Sequence, residues 1–214
     1  RILSFGIQKE IVLYVSNIHT WKASSENPKE KPKLEFADSL FKRRLSQITR
    51  ITIQVVHDLL EEVPEAKDCK QVFVSFRGEI EREFTINQGI IEDTEILPAG
   101  FSLSVFNTPI AAASLCLGLK SGYSVIYPSK NDFVAGFTGA AAPVLAGSEE
   151  KVIFVYADEY VPDCYGEHQP KENNPVAFAC ILSSQKNQNS VGVENVADFA
   201  ATPMEFIKKV TLNG

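Results

Sequence analysis

The chain has 214 residues, 44% hydrophobic and 22% charged, which is enough for one well-buried core and short for two. That balance excludes disorder, collagen-like repeats and a disulfide scaffold, and a net charge of -6 argues against a nucleic-acid surface or a polybasic membrane patch. No apolar run reaches the roughly 20 residues of a membrane helix, and the N-terminal residues carry no signal-peptide pattern. We therefore expect a cytoplasmic protein without a membrane span. Its cysteines, Cys69, Cys116, Cys164 and Cys180, form no CxxC pair and read as reduced thiols. His19, His57 and His168 are scattered without ligand spacing, so no metal site is expected.

In chain order, residues 11–15 are a short β-branched run that predicts a strand, and residues 21–33, rich in Ser, Pro, Lys and Glu, predict a loop. A helix is predicted from Asp38 or Ser39 to about Glu62. Leu45, Ile48, Thr52, Val55, Val56 and Leu59 share one face, and Arg43, Gln47, Arg50 and Gln54 lie opposite. A strand follows over 71–76, a weaker helix over 85–93 and a loop over 98–104. Next comes a helix over 107–119, whose run of small residues predicts a central, buried position. Residues 123–127 predict a strand, and 132–146 a helix capped by Asp132. Residues 151–157 form an almost wholly apolar strand, as expected for one covered on both faces. A polar loop over 162–174, a strand over 176–182, a mobile excursion over 183–196 and a helix over 203–210 complete the chain. Helices alternating with buried strands predict a layered α/β domain, with a mainly parallel sheet that has a mixed edge, and helices on both faces.

Motifs for dinucleotide or P-loop nucleotide binding, the GxSxG elbow, HExxH and the EF-hand are all missing. The turn at 127–132 merits attention because reactive groups in α/β sheets collect where a strand passes into a helix. There Ser129 beside Lys130 forms a candidate nucleophile pair, against the plainer reading of a polar turn with a helix cap. Asp158-Glu159 has the composition of an acid–base or metal pair, against a solvated or backbone-capping role. Arg43, Arg44 and Arg50 offer a phosphate or acidic carrier protein a contact, against a solvated helix face.

Four stretches, in order, resemble the β-ketoacyl synthase-like family that includes small chain-length-factor subunits. They are Phe41 to Arg50 with Arg43-Arg44; Val72 to Glu79 with Ser75, Gly78 and Glu79; Leu97 to Asn107 with Ser104, Phe106 and Asn107; and Val152 to Glu159 ending in Asp158-Glu159. The resemblance spans about residues 41–162 and implies a single domain over 1–214 with the N-terminal half of a thiolase-like fold. A full condensing enzyme has two such halves. Its cysteine lies at a strand-to-helix turn of the first half, which here holds Ser129, Lys130 and Asn131. Phe106 stands where the family often has His, so that His's role does not transfer.

By resemblance, the chain is expected to be a non-catalytic partner of a catalytic ketosynthase, without a cofactor. Pairing is expected through the strand Tyr123, Ser124, Val125, Ile126 and Tyr127, and acyl carrier protein contact through Arg43, Arg44 and Arg50. Two alternatives stand beside it: a homodimeric ligand-binding or structural protein, and an acyltransferase using Ser129 with Lys130, His57 or His168 as base.

Overall fold

The computed structural model describes residues 12–92 and 98–213. Ile11, Asp93 and Leu97, named in the expectations above, lie outside the described residues. The strands are β1 (Leu13–Lys22), β2 (Lys70–Val74), β3 (Tyr123–Ile126), β4 (Lys151–Asp158), β5 (Val176–Ser183) and β6 (Val191–Val193). The helices are α1 (Ser39–Lys42), α2 (Gln47–Glu62), α3 (Ile80–Ile91), α4 (Pro98–Ser102), α5 (Thr108–Leu117), α6 (Phe133–Leu145), α7 (Val196–Phe199) and α8 (Pro203–Asn213).

One six-stranded sheet has the order β3-β2-β4-β5-β1-β6. β3, β2 and β4 are parallel; β5 opposes both β4 and β1, and β6 opposes β1. β1 therefore runs with β4, and four of the six strands share a direction. The sheet is mainly parallel with a mixed edge, as expected, and that edge comprises β5, β1 and β6.

Alternate residues of β4 enter two cores. Val152, Phe154 and Tyr156 face the layer of α6, α7 and α8, whereas Ile153, Val155 and Ala157 face the layer of α2 and α5. Two covered faces explain why the strand reads as unbroken apolar sequence. In the first layer, Phe133 and Phe137 of α6 meet Phe154, Tyr156, Phe178 and Phe206, with neighbouring ring centroids 5.0–6.4 Å apart. Gly136 lets α6 approach β2, since a Cβ there would lie 2.7 Å from Val74 Cγ1.

The helix expected over 38–62 is two helices. At the second start, Ser46 is extended (φ -65, ψ 177), and its hydroxyl accepts the Thr49 N–H while donating to Glu79 from another element. Gln47, expected on the polar side, is buried. Its amide donates to the Pro28 and Glu30 carbonyls, and its carbonyl accepts the Tyr160 N–H. The helix at the centre is thus α2, with Ile48, Ile51, Val55, Val56 and Leu59 wholly buried. α5, expected there, leaves Leu115 80% exposed. β1 runs on to Lys22, beyond the expected residue 15, and a bulge between Ser16 and His19, with Asn17 at φ 53, hides this continuation from the alternation pattern. Residues 98–102 are helical rather than loop, α3 starts at Ile80, β6 lies within the stretch expected to be mobile, and α7 begins at its end.

Candidate functional site

The first candidate is the turn between β3 and α6. Among the described residues, β3 is the outermost strand on its side and pairs only with β2. After Pro128 the chain makes a short 3-10 turn over Ser129–Asn131, in which Lys130 (φ 58) and Asn131 (φ 55) both take the left-handed conformation. Consecutive non-glycine residues there are strained, and the surrounding structure must hold them. Asp132 then accepts the Ala135 N–H and starts α6. Sharp strand-to-helix turns of this kind present nucleophiles in other α/β proteins. Here Ser129, Lys130 and Asn131 are all exposed. Among the described residues, Ser129 has no side-chain hydrogen bond to Lys130, His57 or His168. His57 instead stacks on Phe36 with ring centroids 3.6 Å apart.

Phe106, in the place of the family's His, lies against Tyr127 with centroids 4.4 Å apart, and the Tyr127 hydroxyl donates to the Phe106 carbonyl. Gly78 leaves room for this pair, since a Cβ there would meet Tyr127 Oη at 3.0 Å and Phe106 Cδ1 at 3.4 Å. Asn107 donates to the Tyr123 hydroxyl. Motif residues from two of the stretches therefore meet Tyr123 and Tyr127 beside the β3 edge.

The second candidate is a buried polar network at the C-terminal ends of β2 and β4. Asp158 Oδ1 accepts the Ser75 hydroxyl at 2.8 Å and the N–H groups of Phe76 and Arg77 at 2.9 and 3.0 Å. Its Oδ2 accepts the Tyr156 hydroxyl and lies 3.8 Å from Arg77 Nε. Burial raises the pKa of Asp158, against the pull of Arg77 and of its hydrogen bonds. Glu79, also buried, accepts Ser46 and Thr49 hydroxyls on one oxygen and Arg82 on the other. Glu159 accepts the Ile48 N–H in the first turn of α2 and the Glu81 N–H in the first turn of α3. One carboxylate thus caps two convergent helix starts, where the helix dipoles favour negative charge. Ser75, Gly78, Glu79, Asp158 and Glu159 are brought together. Ser46, Thr49, Arg77, Arg82 and Tyr156 complete the network, and sequence reasoning did not single them out as site residues.

This network organises the fold and leaves little free for chemistry. Burial, and then Glu79, push the pKa of Glu159 up to about 8, while the Glu81 and Ile48 N–H groups pull it down. That value lies above the ordinary 4.5, so between these two pH values the folded chain holds a proton that the unfolded chain has lost. The resulting stability is full below about pH 4.5 and is lost as pH rises through about 8. Asp38, Glu62, Asp163 and Glu205, whose pKa values are lowered, act only as pH falls through the ordinary carboxylate range and below it. We expect the unfolding free energy from urea denaturation to fall between about pH 5.5 and 8.5, by up to a few kcal/mol, with the midpoint moving to lower urea, and this pH slope to flatten in Glu159→Gln. A midpoint with the same pH slope in both proteins would contradict this account of Glu159.

The basic residues separate. Arg43 and Arg44 are exposed beside an open cleft of about 560 Å³ that Lys31 and Arg82 also line. Arg50 is committed inside the chain, donating to the Pro32 and Lys42 carbonyls. Burial raises the thiol pKa values of Cys69 and Cys116, the opposite of activation. Among the described residues no group of three or more His, Cys, Asp or Glu is arranged to hold a metal, and no helix is long and apolar enough to cross a membrane.

A mixed sheet between two helical layers, with a strained strand-to-helix turn at its parallel side, makes this a layered α/β protein. The family described as beta-ketoacyl synthase, N-terminal domain, matches residues 18–206, and the chain belongs to it. No curated protein is detectably similar in sequence. One similar structure is the ketosynthase ApeO in complex with its chain length factor ApeC from Xenorhabdus doucetiae. It gives a TM-score of 0.66 at 21% identity, over 83% of this chain and 81% of that one. The ishigamide ketosynthase/chain length factor gives 0.52 at 9% identity, over 75% and 48%. An oxazolomycin ketosynthase domain from Streptomyces albus gives 0.51 at 10% identity, over 80% and 43%. The chain thus spans most of the first structure and about half of the other two.

Proposed function

We propose that the chain, one β-ketoacyl synthase-like N-terminal domain over residues 1–214, is a non-catalytic subunit of the chain-length-factor type. It pairs with a catalytic β-ketoacyl synthase in the cytoplasm and limits chain length in fatty acid, polyketide or aryl-polyene-type biosynthesis. The observation that carries this reading is the turn between β3 and α6. Its backbone keeps the strain of a nucleophile-bearing turn, yet its side chains are the exposed Ser129, Lys130 and Asn131. A serine becomes a strong nucleophile with a base within hydrogen-bond reach, and among the described residues the Ser129 hydroxyl is hydrogen-bonded to none. The similar ketosynthase and chain length factor complex supports the reading, since its matched chain has nearly the length of this one.

Pairing runs through the open edge of β3, from Tyr123 to Tyr127, whose unpaired backbone groups otherwise invite uncontrolled association. An acyl carrier protein meets Arg43 and Arg44, which are free to face an acidic partner, whereas Arg50 takes no part. The test is an affinity isolation of the tagged chain from its native cells, with mass spectrometry and stoichiometry. We expect one full-length ketosynthase per chain. Recovery of the chain only as a stable homodimer would overturn the proposal in favour of a homodimeric binding or structural protein.

A further inference from the structure

We infer that the cavity beyond the C-terminal ends of β2 and β4 binds a small uncharged molecule that carries a carboxamide on a short apolar chain. This goes beyond the pairing reading and does not rest on it, since no residue of β3 or of the turn after it lines the cavity. The topology places the site. The chain leaves β2 toward β3 on one side and leaves β4 toward β5 on the other, so the connections diverge between β2 and β4. Small molecules bind in the crevice beyond the C-terminal strand ends at such points. Here Phe76 and Arg77 follow β2, Asp158 ends β4, and Pro203 and Met204 in the first turn of α8 close the other side. The cavity holds about 380 Å³, within the range of small-molecule sites.

Its polar lining offers unused donors beside an unused acceptor. Arg77 Nη1 donates to the Glu159 carbonyl at 2.8 Å and to Asn173 Oδ1 at 3.4 Å. Among the described residues, Arg77 Nε and Nη2 have no acceptor within hydrogen-bond distance, for Asp158 Oδ2 stands 3.8 Å from Nε. The Arg77 side chain is only 15% exposed and lines the cavity, so donors without a protein partner are met by what the cavity holds. Asp158 Oδ1 already serves three donors, whereas Oδ2 accepts the Tyr156 hydroxyl alone and keeps a lone pair. A donor and an acceptor side by side match a carboxamide, whose oxygen accepts from Arg77 while its N–H donates to Asp158.

Charge decides against an ion. Lys22 and Arg77 in the lining are offset by Asp158 and Glu172. A carboxylate seated on Arg77 would stand beside the buried Asp158 and be repelled, and an ammonium seated on Asp158 would meet Arg77. The rest of the lining includes Phe76, Val176, Pro203 and Met204, which suit a short apolar chain.

The probes are hexanamide, hexanoate and methyl pentyl ketone, which share a pentyl chain on a carbonyl carbon and differ in the head group. Each is titrated into the isotope-labelled chain and followed by NMR. We expect hexanamide to saturate, to shift the backbone signals of Arg77, Val176 and Met204, and to bind about tenfold more tightly than either of the others. Met204→Trp fills the mouth of the cavity from a position 43% exposed, and an unchanged melting temperature checks that the fold is kept. We expect that variant to bind hexanamide about tenfold more weakly than wild type. Hexanamide that does not saturate, or that binds no more tightly than the ketone, would overturn the inference. So would undiminished binding by Met204→Trp. Tightest binding by hexanoate would overturn it in favour of an anion site on Arg77. The pairing with a ketosynthase stands or falls separately from all of these results.

Discussion

Phe206→Ala is expected to lower stability by about 3–5 kcal/mol, the usual cost of truncating a buried aromatic ring. Phe206 is wholly buried and lies on α8, the last helix of the chain. Its ring meets Phe133, Phe137, Phe154, Phe178 and Phe199 at centroid distances of 5.0–5.7 Å. Truncation therefore opens a cavity at a junction of α6, β4, β5 and α8. The neighbours belong to four other elements, α6, β4, β5 and α7, and cannot all collapse inward together, so relaxation recovers little of the loss. Phe206→Leu, which keeps most of the volume, is expected to cost much less. Urea denaturation with all three proteins checks this. Equal midpoints for Phe206→Ala and wild type would mean that α8 is not docked through this ring.

The second large effect falls on Asp158→Ala, for which we expect about 3–5 kcal/mol, because several buried donors lose their acceptor together. The Ser75 hydroxyl, the N–H groups of Phe76 and Arg77 and the Tyr156 hydroxyl all converge on this one carboxylate. Arg77 also loses its charged neighbour. Asp158→Asn retains an oxygen for the three donors at Oδ1 and is expected to recover a good part of the loss. If the asparagine variant is as unstable as the alanine one, charge rather than hydrogen-bond supply holds the turn after β2.

These two sites also mark what sequence can and cannot reveal. Val152 to Ala157 reads as a doubly covered strand because every position is apolar, and the same logic finds β2, β5 and α6. The split between α1 and α2 has no local signal of the usual kind, with no Pro or Gly between Arg43 and Ser46. α1 closes at Arg43, and Ser46 caps α2 through the Thr49 N–H while its hydroxyl is held by Glu79, 33 residues away. β6 is three residues long and exists through its pairing with β1, which periodicity in a polar stretch cannot show. The candidate site divides in the same way. Ser75, Gly78, Glu79, Asp158 and Glu159 were visible through family resemblance. Their meeting was not, because Ser75 and Asp158 lie 83 residues apart and touch only through parallel pairing of β2 with β4. Asp158-Glu159 serves backbone capping inside the protein, one of its two expected readings, yet it is buried rather than solvated.

The reading of this chain as a subunit that shapes a condensing enzyme without supplying its nucleophile is tested most directly by intact-mass measurement. The purified pair would be exposed to an acyl thioester and both subunits weighed. The account predicts a stable acyl adduct on the ketosynthase alone, with this chain unmodified. An adduct on this chain that disappears in Ser129→Ala would contradict it and make the β3–α6 turn a working nucleophile site.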